Sequence, residues 1–192
     1  MVIGGDLLNI APADHDLLMD VNLRAPYIMI NFFQDMLIAA GGAVINVSCI
    51  KGSRPQPGLI SYCMAKAGLE MMTKSVALEL ARFGVRVNSV SASMMNTNFL
   101  KKAGLNDYDN FSVLKKEIET NPSNRIVRIE EVCQAIIHLT SQHSKKISGI
   151  VKYIDGAKHL TTRGQHTWHG LKADKLRAFE VGETNSVMDY VN

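Results

Sequence analysis

Between two long stretches of helical period lies Ala43-Val-Ile-Asn-Val47, a short, nearly continuous, β-branched run bounded by glycines. Such a run reads as a strand buried on both faces, the condition of a strand inside a helix-covered parallel sheet. The helical stretch before it covers Asp14 to Ala40. There Leu17, Leu18, Val21, Tyr27, Ile28, Ile30, Phe33, Leu37 and Ile38 recur at three- and four-residue steps, which predicts one buried face. Pro26 is expected to kink or break this helix near its middle, and Gly41-Gly42 to end it. The stretch after it runs from Ser61 to Arg82, with Ala65, Leu69, Met72, Val76 and Leu80 on one stripe and Gly84 closing it. Lys51 to Gly58, with two prolines and two glycines, is a loop.

Farther along, Val85 to Val90 is a second strand candidate and Ile150 to Ile154 a third, ending at Asp155-Gly156. Glu130 to Ser141 forms a third amphipathic helix through Val132, Ile136, Ile137 and Leu139. Thr97 to Asn124 is polar and irregular with some helical segments, and reads as a mobile surface excursion. Strands alternating with helical crossovers predict a parallel sheet with helices on its faces. Three strands are few for such a sheet, so one edge is expected to lack a partner strand.

The 192 residues fall in the range of one domain, and 46% apolar with 20% charged residues is a globular composition. The formal charge of +3 is mild, and aromatic residues do not interleave with Lys and Arg, which argues against a nucleic-acid partner. Cys49, Cys63 and Cys133 form neither a C-x-x-C pair nor an even disulfide framework. A reducing compartment, cytoplasmic or another intracellular one, is expected. No charged n-region and apolar h-region follow Met1, so no signal peptide is read. The most apolar stretch, Tyr27 to Val47, is interrupted by Asn31, Gln34, Asp35 and Gly41-Gly42, which argues against a membrane span.

The stretch richest in chemistry is Asn46 to Lys66, NVSCIKGSRPQPGLISYCMAK. Tyr62 and Lys66 are four apart and share a face at the start of a helix. An ammonium beside a phenol favours the phenolate, so the Tyr62 pKa is expected to fall toward the working range of an acid/base catalyst. Taken alone, Y-x-x-x-K also fits a solvated lysine beside a half-buried tyrosine. Met64, Met71, Met72, Met94 and Met95 read as packing and pocket-lining residues. His159, His166 and His169 around Trp168 read as exposed tail histidines, because no Cys or carboxylate completes a metal spacing. No metal site is expected.

In order and spacing these residues resemble the short-chain dehydrogenase/reductase family, in particular members of the 3-oxoacyl-reductase and carbonyl-reductase kind. There a strand ending in Asn-x-Ser-Ser is followed thirteen residues later by the Tyr of Tyr-x-x-x-Lys, the interval that separates Cys49 from Tyr62. Asp20-Val21-Asn22 resembles the family's D-V-N segment. Val87-Asn88-Ser89-Val90 resembles the strand before its Pro-Gly and Thr, with Thr97 on that Thr. Ile147-Ser148-Gly149 through Asp155-Gly156 resembles the terminal T-G-x-x-x-x-V-D-G-G.

The resemblance implies an α/β fold: a partial Rossmann-like, doubly wound parallel sheet lacking the amino-terminal nucleotide-binding strands. Residues 1–158 would be the truncated domain and 159–192 a polar carboxyl-terminal tail. It implies that Tyr62 exchanges a proton with a carbonyl or hydroxyl substrate and that Tyr62 and Lys66 together hold the nicotinamide ribose. Asn22 would anchor a relay water, and Thr97, with neighbouring backbone at Met95, would meet the nicotinamide. The implied cofactor is NAD or NADP, and the implied assembly a homo-oligomer or a subunit of a complex.

Three departures qualify this. Cys49 stands in place of the catalytic Ser, and a thiol donates more weakly than a hydroxyl to a developing oxyanion. Ser48 is no substitute, because neighbours on a strand point to opposite faces. Ala92-Ser93 replaces the Pro-Gly. No Gly-rich dinucleotide fingerprint follows a strand anywhere, so cofactor binding by this chain alone is doubtful. Two readings stay open: an NAD(P)-dependent oxidoreductase represented by its carboxyl-terminal part, and a non-catalytic structural or interaction subunit descended from one.

Overall fold

The structure is a computed structural model that describes residues 1–102 and 106–161. Three strands, β1 (Ala43–Cys49), β2 (Arg86–Ala92) and β3 (Val151–Ile154), form one sheet in the order β1-β2-β3. Both pairings are parallel, with Ala43 opposite Arg86, Cys49 opposite Ala92, and Ser89 opposite Val151. The strands therefore lie where the β-branched runs predict them, with β2 extending two residues farther than Val90. Central position explains β2's composition, since Val87 to Ala92 are all buried.

Helices α1 (Pro12–Met19), α2 (Ala25–Ala40) and α3 (Ile60–Leu80) precede β2; α4 (Phe99–Lys102), α5 (Asp107–Thr120) and α6 (Ile129–Thr140) follow it. On one face of the sheet Ala77, Val85 and Val87 pack with Leu37, Ile38, Val44, Val76 and Leu80. On the other, Val90 and Ala92 pack with Val132, Ala135 and Leu139 of α6. Residues of alternating parity on β2 thus feed two separate cores, as the two-residue strand period requires.

The long amino-terminal helix breaks differently from expectation. A π-helical turn, Asp20–Arg24, joins α1 to α2 and lies just before Pro26. Proline has no N–H for the carbonyl four residues back, so the backbone widens there instead of continuing as α-helix. Gly41, at φ 54°, closes α2 in the left-handed conformation. The single buried face predicted for Asp14 to Ala40 is corrected. Leu18 and Ile30 are buried, while Leu17, Val21, Tyr27, Ile28 and Phe33 are exposed, as are Phe32 and Met36. The periodicity reports an amphipathic helix; among the described residues most of that stripe has no partner.

Thr97 to Asn124 has the helical segments expected of it, but it is more than a surface excursion. It contains α5, fourteen residues long, whose Leu114 and Ile118 form a third small core with Ile126. Asn106 caps it, accepting from the Asp109 N–H at 2.9 Å. Among the described residues no helix is long and apolar enough to cross a membrane. His159 is not a free tail histidine: its ring stacks on Tyr153, with centroids 3.9 Å apart, and its Nδ1 lies 2.8 Å from Asp155. His166, Trp168 and His169 lie outside the described residues.

Candidate active site

The carboxyl end of β1, the turn Ile50–Gly52 and the first two turns of α3 meet at one place. Strand alternation separates the last two residues of β1. Ser48 is buried and its hydroxyl donates to Glu70 Oε1 at 3.0 Å, on the α3 side. Cys49 faces the other way, where its thiol and the Tyr62 hydroxyl perturb one another's ionisation. The Lys51 backbone N–H also reaches the Cys49 thiol.

Lys66 follows Tyr62 by one helical turn. Its Nζ lies 5.6 Å from the centroid of the Tyr62 ring and donates to the Val47 carbonyl at 3.1 Å. Tyr62 is buried, and the ring of Phe99, opening α4, lies 6.1 Å away at a tilt of 53°. Gly52 is what lets the turn come so close: a Cβ there would stand 2.9 Å from the Lys66 carbonyl carbon.

The expected fall of the Tyr62 pKa is not found. Burial, and then the Cys49 and Cys63 thiols, push the phenol above its ordinary value, so the desolvation of the ring and hydroxyl outweighs the nearby ammonium. Burial likewise lowers the Lys66 ammonium, against the pull of Cys49 and Glu70. The Cys49 thiol is raised by burial, partly offset by the Lys51 N–H and charge and by Tyr62 and Lys66. At neutral pH the site therefore holds a protonated phenol and a protonated thiol.

Asn22 lies within the π-turn, buried, and its amide nitrogen donates to the carbonyls of Leu18 at 3.1 Å and Met1 at 3.2 Å. Thr97 is half-buried, its Oγ1 accepting from the Phe99 N–H at 3.3 Å, and so sits next to the residue that covers Tyr62. Met95 bridges to Val127 and packs against the α6-side core, so its side chain belongs to packing. Ser93, standing for the Gly of the usual Pro-Gly, is buried with its hydroxyl unpaired among the described residues. Glu70 and Phe99 escaped the sequence reading. A glutamate inside a helical stripe looks solvated, and an aromatic after a loop carries no spacing signal.

The family profile described as enoyl-(acyl carrier protein) reductase matches residues 2–159. The chain belongs to the short-chain dehydrogenase/reductase family. The 3-oxoacyl-(acyl-carrier-protein) reductase FabG of Rickettsia bellii is 32% identical over 144 residues, covering 74% of this chain and 57% of that reductase. Nodulation protein G of Rhizobium meliloti is 29% identical over 153 residues, covering 79% of this chain and 60% of that protein. The chain thus spans under two thirds of the length of these curated relatives.

Among solved structures, a short-chain dehydrogenase/reductase of unknown function from Caenorhabditis elegans, solved with cofactor, superposes with a TM-score of 0.78 at 28% identity. That match covers 85% of this chain and 65% of the other. A gluconate 5-dehydrogenase from Burkholderia cenocepacia, in complex with NADP and tartrate, gives a TM-score of 0.77 at 22% identity, covering 84% and 62%, a likeness of fold.

Proposed function

We propose that this chain carries the acid/base half of an NAD(P)-dependent oxidoreductase acting on a carbonyl or secondary alcohol. On this reading residues 1–158 make up the truncated catalytic domain and 159–192 a separate carboxyl-terminal sequence segment, whose first residue, His159, packs on Tyr153. The observation that carries this reading is that Tyr62, Lys66 and Cys49 lie against one another at the end of β1, with Ser48 turned away. A nicotinamide cofactor, when bound, supplies or accepts the hydride; every other role falls to residues of this chain. Tyr62, kept protonated by burial, donates its phenolic proton to the substrate oxygen in the reductive direction. Cys49 offers a thiol proton to the same oxygen, a weaker donor than the family's serine.

The residues present fit the ribose end of a nicotinamide nucleotide. An ammonium has three donors; Lys66 spends one on the Val47 carbonyl, which leaves two for vicinal ribose hydroxyls. Thr97 supports the neighbouring backbone where the nicotinamide would lie. The diphosphate end has no counterpart, because no glycine-rich turn opens a helix in this sequence. Asn22 keeps the π-turn in shape through its bond to Leu18, the route by which it would support a relay water.

The apolar stripe on α2 and α3, with Phe32 77% and Leu78 81% exposed, supports a homo-oligomer or a complex in which a partner covers it. The three free thiols fit a reducing compartment. The same stripe, with Cys49 in the serine's place, favours the second reading, a non-catalytic interaction subunit. Calorimetric titration of NADH and NADPH separates the two when done on the 192-residue chain and on a chain extended by a Gly-rich first βαβ unit. The oxidoreductase reading expects weak or no binding by the former and micromolar binding by the latter. Absence of binding by both would favour the subunit reading.

A further inference from the structure

The polar layer under α3 contains a carboxylate that the acid/base scheme does not use. Glu70 is buried, at 7% exposure, one helical turn beyond Lys66. Its Oε1 accepts the Ser48 hydroxyl of β1 at 3.0 Å and the Ser91 hydroxyl of β2 at 2.9 Å. Three residues on, Thr73 accepts from Asn46 of β1 at 2.9 Å. Lys66, on the same face, donates to the carbonyl of Val47, immediately before Ser48. One helix thus holds consecutive residues of β1 by a cation at Val47 and an anion at Ser48, and the next residue along the strand is Cys49.

We propose that Glu70 is a positioning residue of this site: it is the buried counter-charge of Lys66 and the strut that seats α3 on β1 and β2. This rests on the reading that Lys66 and Tyr62 belong to an active site. An apolar side chain at position 70 would fill the space, but would leave both serine hydroxyls without an acceptor, a costly state for buried donors. Ser48 is thereby fixed toward α3, and strand alternation then fixes Cys49 toward Tyr62. The second role is electrostatic. The titratable groups around Lys66 are Tyr62 and Glu70 on its own helix, Cys49 on β1 and the Met1 amino group. Burial draws the ammonium toward its neutral form, and Cys49 and then Glu70 oppose it; Glu70 is the carboxylate of the two.

Glu70→Gln separates the two roles, because the amide oxygen still accepts both hydroxyls while the charge is gone. The readout is pulse acetylation of the 192-residue chain across pH 7 to 10, with Lys66 followed by mass spectrometry and the exposed Lys74 as internal reference. Only the neutral amine reacts. Removing the carboxylate lowers the Lys66 pKa further, and each pKa unit is about tenfold in neutral amine below the pKa. Expected at pH 8.5 is a roughly 3- to 10-fold rise in Lys66 labelling, with Lys74 unchanged. Glu70→Asp keeps the charge and must label within about twofold of the parent. If Glu70→Gln does not fold, Glu70→Asp alone still tests the proposal, since accelerated labelling there overturns it. Unchanged Lys66 labelling in folded Glu70→Gln, or a parallel rise at Lys74, also overturns it. The assay needs neither cofactor nor turnover, so a failed oxidoreductase reading and a failed Glu70 role give different results.

Discussion

Gly52→Ala should be the most costly single methyl that can be added near the candidate site. The turn Ile50–Gly52 leads from Cys49 to the loop before α3, and Gly52 is where it touches that helix. A Cβ there would meet the Lys66 carbonyl carbon at 2.9 Å, the Lys66 oxygen at 3.0 Å and the Ala67 nitrogen at 3.1 Å. Carbon contacts settle near about 3.5–4.0 Å, so the methyl is roughly half an ångström too close to three backbone atoms. Those atoms are locked in the hydrogen-bond ladder of α3 and cannot swing aside. The turn must lift instead, at the cost typical of overpacking, about 1–3 kcal/mol.

Gly68→Ala is the control. Its Cβ would meet Leu23 Cδ2 at 2.8 Å, the far end of a flexible side chain. The gain in helix propensity, about 1 kcal/mol, largely offsets that contact. Urea unfolding of both variants at unchanged slope measures the two costs. A Gly52→Ala stability within about 0.5 kcal/mol of the parent, or a larger loss in Gly68→Ala, would refute the argument.

Glu131 is held at about 2, below the ordinary 4.5, first by its side-chain hydrogen bonds to Arg125 at 2.7 and 2.9 Å and then by the Arg128 N–H. A depressed carboxylate stabilises above its unfolded pKa and loses that contribution as pH falls through the folded one, here from about 4.5 to about 2. Arg125 is half exposed, so solvent screening leaves about 0.5–1 kcal/mol. Glu131→Gln should lose that much at pH 7 and show a flatter urea midpoint below pH 4.5; equal acid sensitivity would contradict it. For the apolar stripe, Phe32→Asp should convert an oligomer to a 21.2 kDa monomer in sedimentation velocity. A parent chain already monomeric at tens of micromolar would remove the basis for an interface there.

The sheet was legible because β-branched runs bounded by glycine leave few alternatives, and parallel pairing follows once long helices separate the strands. The facing of Ser48 and Cys49 was legible for the same reason: a two-residue period has only two outcomes. What α2 packs against was not, since an apolar stripe records a need for cover without naming the surface that meets it. α5 was hidden by its polarity, because its buried face is carried by Asn110, Leu114 and Ile118 among charged neighbours. The ionisation of Tyr62 depends on how deeply α4 and β1 bury it, a long-range quantity that the Tyr-Lys spacing does not contain. Glu70 is a further case, since its two partners stand 22 and 21 residues away on different strands.

The proposed function makes Tyr62 the proton donor of a carbonyl-reducing site. The measurement that tests it most directly is NAD(P)H consumption against a panel of simple ketones by the chain extended with a Gly-rich first βαβ unit, with and without Tyr62→Phe. General acid catalysis contributes about 10²–10⁴ in rate, so the variant should lose turnover by that factor even at saturating cofactor, and the unextended 192-residue chain should show none. Undiminished turnover in Tyr62→Phe would contradict the claim.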